Sequence, residues 1–267
     1  MENLMIIKIG GSILTDKTKP FTANMDVISR IAKEIHEART AKKELRLLVG
    51  HGGGSFPHVP AKEYKVKEGV TSEKTVKGIS LVQDAAARLN RIVVDALIKA
   101  GENAISVQPS AGAIMKNGKI SQWFTEPMLQ MLKHNLLPVF YGDVIIDADK
   151  GCTIASTEVL INFLVNPFKP KRLIIAGDVD GVFTADPHSD KSAKLIPFIT
   201  PKNFNEIKGY LGGAAGIDVT GGMLHKIEEL LELAKQGFES EIVNAGKPGY
   251  LKQALLGEKG IGTIIRA

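Results

Sequence analysis

Seven short apolar runs punctuate the chain, and each gives way within a few positions to glycine, proline or polar residues. They are MIIKIGG, LRLLVGHGGG, NAISVQPS, LLPVFYGDVIID, RLIIAGDVDGVF, SEIVNAG and GTIIRA. Brief apolar runs closed by turn formers predict buried strands. Between them, helix-like periodic segments lie near residues 26–40, 73–100, 126–135, 157–165, 221–236 and 249–256. Strands alternating with helices predict an α/β fold built on a largely parallel sheet. Ligands of such sheets bind beyond the carboxyl ends of the strands, so the loops that follow strands are where chemistry is expected.

The segment 73–100 is long for a globular helix, and Ile79, Val82, Ala86, Leu89, Val93 and Leu97 recur along it at steps of three and four. That oily stripe fits packing on the sheet, and equally burial against a second copy of the chain. In NPFKPKR, residues 166–172, two prolines and three basic residues separate a helix from a fresh strand. The expected division is therefore an N-terminal lobe of residues 1–168 and a C-terminal lobe of residues 169–267.

Composition narrows the classes. Of 267 residues, 44% are hydrophobic and 24% charged, ordinary globular usage. No apolar run approaches the roughly 18 residues of a membrane span, so no membrane partner is expected. Lys8 comes early and is followed at once by Gly-Gly, which reads as a first strand and not a signal peptide, and a cytoplasmic location is expected. The lone cysteine, Cys152, fits a reducing compartment. The balance of 34 basic and 29 acidic residues leaves a scattered net charge of +5, suited to an anionic small molecule. With aromatics at 6% and no basic stripe, nucleic acid is not the expected partner.

Three glycine turns stand out: Gly10-Gly11-Ser12 after Lys8, Gly52-Gly53-Gly54-Ser55 after the second strand, and Gly221-Gly222 within DVTGGMLHK. Glycine lets backbone amides approach a ligand closely, and consecutive N–H groups at a helix start form an anion nest. None of the three has Walker A or G-x-G-x-x-G spacing. Their number, two of them accompanied by lysine, points to a phosphate.

The combination of KIGGSILTDK, GHGGGSFPH, SVQPS, YGDVIID, GDVDGVFTADP and DVTGGMLHK resembles the amino acid kinase superfamily, and within it the isopentenyl phosphate kinase family. The likeness runs from Lys8 to the terminal GTIIR. It implies a two-lobed α/β/α sandwich, a homodimer, the phosphoryl acceptor in the N-terminal lobe and MgATP, hence ATP and Mg²⁺, in the C-terminal lobe. It also implies transfer to isopentenyl phosphate, a step of isoprenoid biosynthesis by the alternative mevalonate pathway. By position, the resemblance makes Lys8, Lys17, His58 and Lys226 catalytic. Gly10, Gly11, Ser12, Asp178, Asp180, Gly181 and Gly222 fall to the nucleotide. Gly53, Gly54, Ser55, His58, Ser156, Thr157 and Glu158 fall to the acceptor. No metal ligand is expected from the protein.

This inventory suits the reaction. A phosphate-monoester acceptor loses its second proton near pH ~6, so it attacks as an ion and no general base is required. The demand is for cations, because two like unit charges ~4 Å apart repel by ~4 kcal/mol at an effective dielectric near 20. A histidine beside phosphate is expected to hold its proton at neutral pH. His51, ahead of the glycines, reads as structural.

Two places depart from the family pattern. Pro57 precedes His58, with Pro60 two residues after it, where the family has glycine before the histidine and proline just behind; a fixed φ could re-aim the ring. Ser156-Thr157-Glu158 replaces Ser-Gly-Asp, and Thr157 is expected to crowd the acceptor phosphate. The alternatives are a kinase of another small phosphate or phosphonate, fosfomycin included, and a non-catalytic nucleotide- or anion-binding protein on the same fold.

Overall fold

The computed structural model describes residues 3–16, 18–185, 187, 190–211 and 222–267. The first half runs β1 (Leu4–Ile9), α1 (Gly11–Leu14), α2 (Met25–Ala41), β2 (Arg46–His51), α3 (His58–Glu63), α4 (Glu73–Lys99) and β3 (Ala104–Val107). There follow β4 (Ala113–Lys116), β5 (Lys119–Trp123), α5 (Glu126–Lys133), β6 (Leu137–Tyr141), β7 (Asp143–Ile145), β8 (Thr153–Ala155) and α6 (Thr157–Phe168). The rest comprises β9 (Arg172–Gly177), β10 (Phe198–Ile199), α7 (Phe204–Leu211), α8 (Gly222–Lys235), β11 (Glu239–Asn244), α9 (Tyr250–Leu256) and β12 (Gly262–Ile265).

Eight strands form one sheet in the order β10-β12-β11-β9-β1-β2-β6-β3. All pairs are parallel except β11 with β12. The strand order reverses at β1, which lies between β2 and β9, and such a reversal opens a crevice at the carboxyl ends. The boundary expected at residue 168 falls between α6 and β9, whose strand joins the same sheet beside β1.

Alternation along β1 sorts the two cores. Leu4 and Ile6 enter a cluster with Leu160 and Leu164 of α6 and Ile227 and Leu231 of α8. Met5, Ile7 and Ile9 face α2, α4 and α9 through Ile31, Val93 and Leu251. Successive side chains on a strand point to opposite faces, so Lys8 lies on the side of Leu4 and Ile6, the side covered by α6.

The stripe on α4 is spent within the chain. Val82, Ala86, Leu89, Val93 and Leu97 are buried and Ile79 half-buried, packed on the sheet and on neighbouring loops. No helix among the described residues is long and apolar enough to cross a membrane.

Two expectations need correction. The run LLPVFYGDVIID is two strands, because the chain leaves the main sheet at Gly142 and β7 pairs instead with β8. The β4–β5 hairpin has no counterpart among the expected strands. Its turn is Asn117-Gly118, with φ of 54° and 76°, the pair that a tight hairpin selects.

Candidate active site

Beyond the ends of β1, β2 and β6 lies a cleft of about 390 Å³. Its floor is bare backbone. Gly11 and Gly52–Gly54 touch so closely that a Cβ on Gly11 would collide with the amide of Gly54, and one on Gly52 would come within 2.8 Å of the Gly11 nitrogen. Thr15 staples the two turns together. Its hydroxyl donates to the Gly11 carbonyl at 3.0 Å and accepts the amide of Ser55 at 2.9 Å. Gly54, at φ +53°, turns the chain over this staple.

These bonds decide which amides remain for a ligand. Gly10 donates to the Ala176 carbonyl and Gly52 to the Ile9 carbonyl, so Gly10 shapes the turn and is not the phosphate donor that sequence suggested. Gly11 and Ser12 lie in the first turn of α1, where amides have no preceding helical acceptor. Among the described residues no hydrogen-bond acceptor engages the amides of Gly53 and Gly54.

Charge enters from two sides. Lys8 reaches Glu158 at 2.8 Å, its side chain 13% exposed. Glu158 sits in the first turn of α6, behind Ser156, whose hydroxyl caps the helix by accepting from the Val159 amide. Burial works against the carboxylate's charge. The Lys8 charge and hydrogen bond, its own backbone amide and the charge of Lys226 prevail, and hold Glu158 below the usual carboxylate range. The charge of Lys226, on α8, thus acts on the same carboxylate as Lys8. Glu229, also on α8, is pushed upward, chiefly by burial, with the charge of Glu158 adding to the effect.

His58 opens α3 and is exposed. Pro57 stands at its N-cap in helical conformation, and its ring occupies the space where a Cβ of Gly53 would be. The displaced prolines thus pack the glycine turn and start the short helix, since proline is tolerated in a first turn. Thr157 is buried, with its hydroxyl donated to the His51 carbonyl at 2.8 Å. The methyl that was expected to crowd the acceptor lies against Gly50.

Lys8, Gly10, Gly11 and Ser12 line the cleft together with Gly53, Gly54 and His58, and Ser156, Thr157 and Glu158 close it. Ser55 does not: it is buried behind the turn. Asp178, Asp180 and Gly181 lie beyond the end of β9, outside the cleft. Gly181 sits at φ +129°, where a side chain would in addition strike the Thr263 hydroxyl. Gly222 begins α8. Lys17 and Gly221 lie outside the described residues.

Sequence reasoning missed Thr15, whose only signal was its place in KIGGSILTDK, and gave no role to Asp143. Asp143 is buried at the cleft wall and accepts the amides of Ser110 at 3.1 Å and Val144 at 2.8 Å. Burial pushes its carboxyl up against the pull of those bonds. SVQPS and YGDVIID therefore meet through one carboxylate. Ala61, Val82 and Ile154 give the cleft its apolar lining.

His51 is the buried support. One ring nitrogen lies 3.0 Å from the Gly52 carbonyl, the other 3.1 Å from the Asn90 amide nitrogen, and Asn90 continues to the Ser106 hydroxyl. Burial lowers its pKa to about 4, with the Gly52 bond opposing. The ring is neutral at pH 7, so Nδ1–H donates to Gly52 and Nε2 accepts from Asn90.

Two predictions follow from these contacts. Below pH 6.5 the unfolded chain protonates His51 while the folded one resists until about pH 4, so stability is lost as pH falls through that window. Urea melts are expected to show about 2 kcal/mol of pH 7 to pH 5 destabilisation that His51→Asn lacks. Thr15→Val leaves the Ser55 amide without its acceptor and is expected to cost about 1–3 kcal/mol in the same assay.

Comparison with known proteins finds relatives over nearly the whole chain. A model of the amino acid kinase family matches residues 3–244. The chain is similar to isopentenyl phosphate kinase of Methanothermobacter thermautotrophicus, 38% identical with 98% of each chain covered. It is also similar to that of Methanocaldococcus jannaschii, 37% identical with 96% of each covered. A solved structure of isopentenyl phosphate kinase superposes with a TM-score of 0.82 at 36% identity, covering 98% of this chain and 99% of the other.

Proposed function

We propose, for a chain that belongs to the amino acid kinase family and within it to the isopentenyl phosphate kinases, ATP-dependent phosphorylation of isopentenyl phosphate. The observation that carries this reading is one cleft lined both by amide donors and Lys8 and by the apolar Ala61, Val82 and Ile154. A phosphate with a short hydrocarbon tail matches both.

An oxygen of the acceptor phosphate attacks the γ-phosphorus of ATP, and the bond from that phosphorus to the β-bridging oxygen breaks, leaving ADP. The attacking oxygen is already ionised, so no proton has to be removed. What the protein supplies is alignment and neutralisation of spreading charge. Gly53 and Gly54 donate to the acceptor phosphate and His58 closes over it, while Gly11 and Ser12 donate from the start of α1 to the transferring group. Lys8, steered by Glu158, bridges acceptor and donor, and Lys226 offsets charge from the nucleotide side. The turn Asp178–Gly181, beyond the adjacent strand β9, lines the nucleotide, and the tail of the acceptor lies along Ala61, Val82 and Ile154.

No cluster of three or more carboxylate, histidine or cysteine ligands occurs among the described residues. A Mg²⁺ ion bound through the phosphates of ATP would neutralise charge on the leaving oxygens.

ADP release from MgATP in the presence of isopentenyl phosphate, dimethylallyl phosphate, fosfomycin, carbamate or uridylate tests the acceptor. Turnover is expected with the prenyl phosphates, and activity with carbamate alone would overturn the assignment. His58→Ala is expected to lower kcat at least ~100-fold and Lys8→Met by roughly 10²–10³, as for loss of one transition-state donor. Rates equal to the parent enzyme would remove either side chain from the mechanism.

A further inference from the structure

Helix α2 reaches across to the nucleotide side through an ion pair between half-buried Arg30 and buried Glu34. Arg30 and Glu34, one turn apart, lie 2.7 Å from each other. The Arg30 guanidinium donates to the carbonyls of Ala245 at 2.7 Å, Gly246 at 3.2 Å and Lys247 at 3.4 Å. Glu34, 5% exposed, accepts the amides of Gly249 at 2.9 Å and Lys252 at 3.2 Å. A cation thus takes the carbonyls and an anion the amides of the loop between β11 and α9, a stretch in which Pro248 has no amide to give.

The same loop grips the turn after β9. Lys247 Nζ lies 2.8 Å from the carboxylate of Asp180, and Asn244 Nδ2 donates to it at 3.0 Å. Asn244 is itself held, its side-chain oxygen accepting the Gly246 amide at 2.8 Å. The contacts run unbroken from α2 through residues 244–249 to Asp180. The final pair is half in water, with Lys247 48% exposed, and exposed pairs contribute little to stability. Its placement has a different use.

We propose that Arg30 and Glu34 are positioning residues for the nucleotide, acting through the 244–249 loop and the Asn244 and Lys247 side chains to hold the Asp180 carboxylate where the nucleotide turn needs it. This rests on the assignment of Asp178–Gly181 to ATP. It gives α2, which has no side chain in the cleft, a share in donor binding and none in acceptor binding.

Steady-state kinetics with ATP and isopentenyl phosphate varied separately test it. Lys247→Met, at an exposed position, and Arg30→Met are each expected to raise KM for ATP about tenfold, with KM for isopentenyl phosphate within about twofold of the parent. Arg30→Lys is expected to recover part of the loss. Because the residues act in series, the double variant is expected to be no worse than the poorer single one, since coupled sites are not additive. Equal rises in both KM values, no rise in either, or effects that multiply in the double variant would each overturn the proposal. Asp180→Ala separates the two levels. If it raises KM for ATP while the Arg30 and Lys247 variants do not, the relay alone fails; if it leaves KM for ATP unchanged, the nucleotide assignment fails and the relay with it.

Discussion

The closeness of two bare backbones governs this molecule. The turn after β1 and the turn after β2 meet with no side chain between them, and a Cβ at Gly11 or Gly52 would force them apart. Adjacent parallel strands lie about 4.8 Å apart, so turns that leave them side by side can share a ligand only if both are stripped to the main chain. The Thr15 hydroxyl then fixes their separation by bonding to both. The amides left over point into a space whose width the sheet has set.

Electrostatics is layered onto that frame. Lys8 comes from the middle of the sheet, where its strand neighbours are Gly50 and Ile175, and it is steered by a carboxylate at a helix start. Pairing with Glu158 compensates a largely buried ammonium and fixes its direction, because an unpaired charge there would be costly. The charge of Lys226 reaches the same carboxylate from α8, so a strand and a helix bring two cations to bear on one anion. The neutral His51 beneath adds no charge of its own. It shapes the glycine turn by hydrogen bonding alone, which leaves the field in the cleft to the lysines.

Much of this was legible in the chain, for identifiable reasons. The buried strands and the stripe of α4 were visible because a two-sided sheet and a helix on it demand continuous or periodic apolarity. The glycine turns, His58 and Glu158 were visible because each sits directly after a strand or at a helix start, and Lys8 because it interrupts an apolar strand just before a glycine turn. Hidden were the features that depend on contacts far apart in sequence. Gly10 and Gly11 look equivalent in KIGGS, yet only the fold shows that the Gly10 amide is taken by Ala176. Thr157 looked like an obstruction until its hydroxyl was found on the His51 carbonyl. The hairpin at Asn117-Gly118 carried a local signal, but its strands lie outside the main sheet and lack the apolar run by which the others were recognised.

The apolar lining of the cleft has its own consequence. Ala61, Val82 and Ile154 belong to α3, α4 and β8, none of which is a strand of the central sheet. On the proposed function, the room available to a hydrocarbon is set by residues on elements other than those that carry the lysines and glycine turns. Chain-length preference and phosphoryl chemistry are separable on this scaffold, and a lineage could drift in the first while conserving the second.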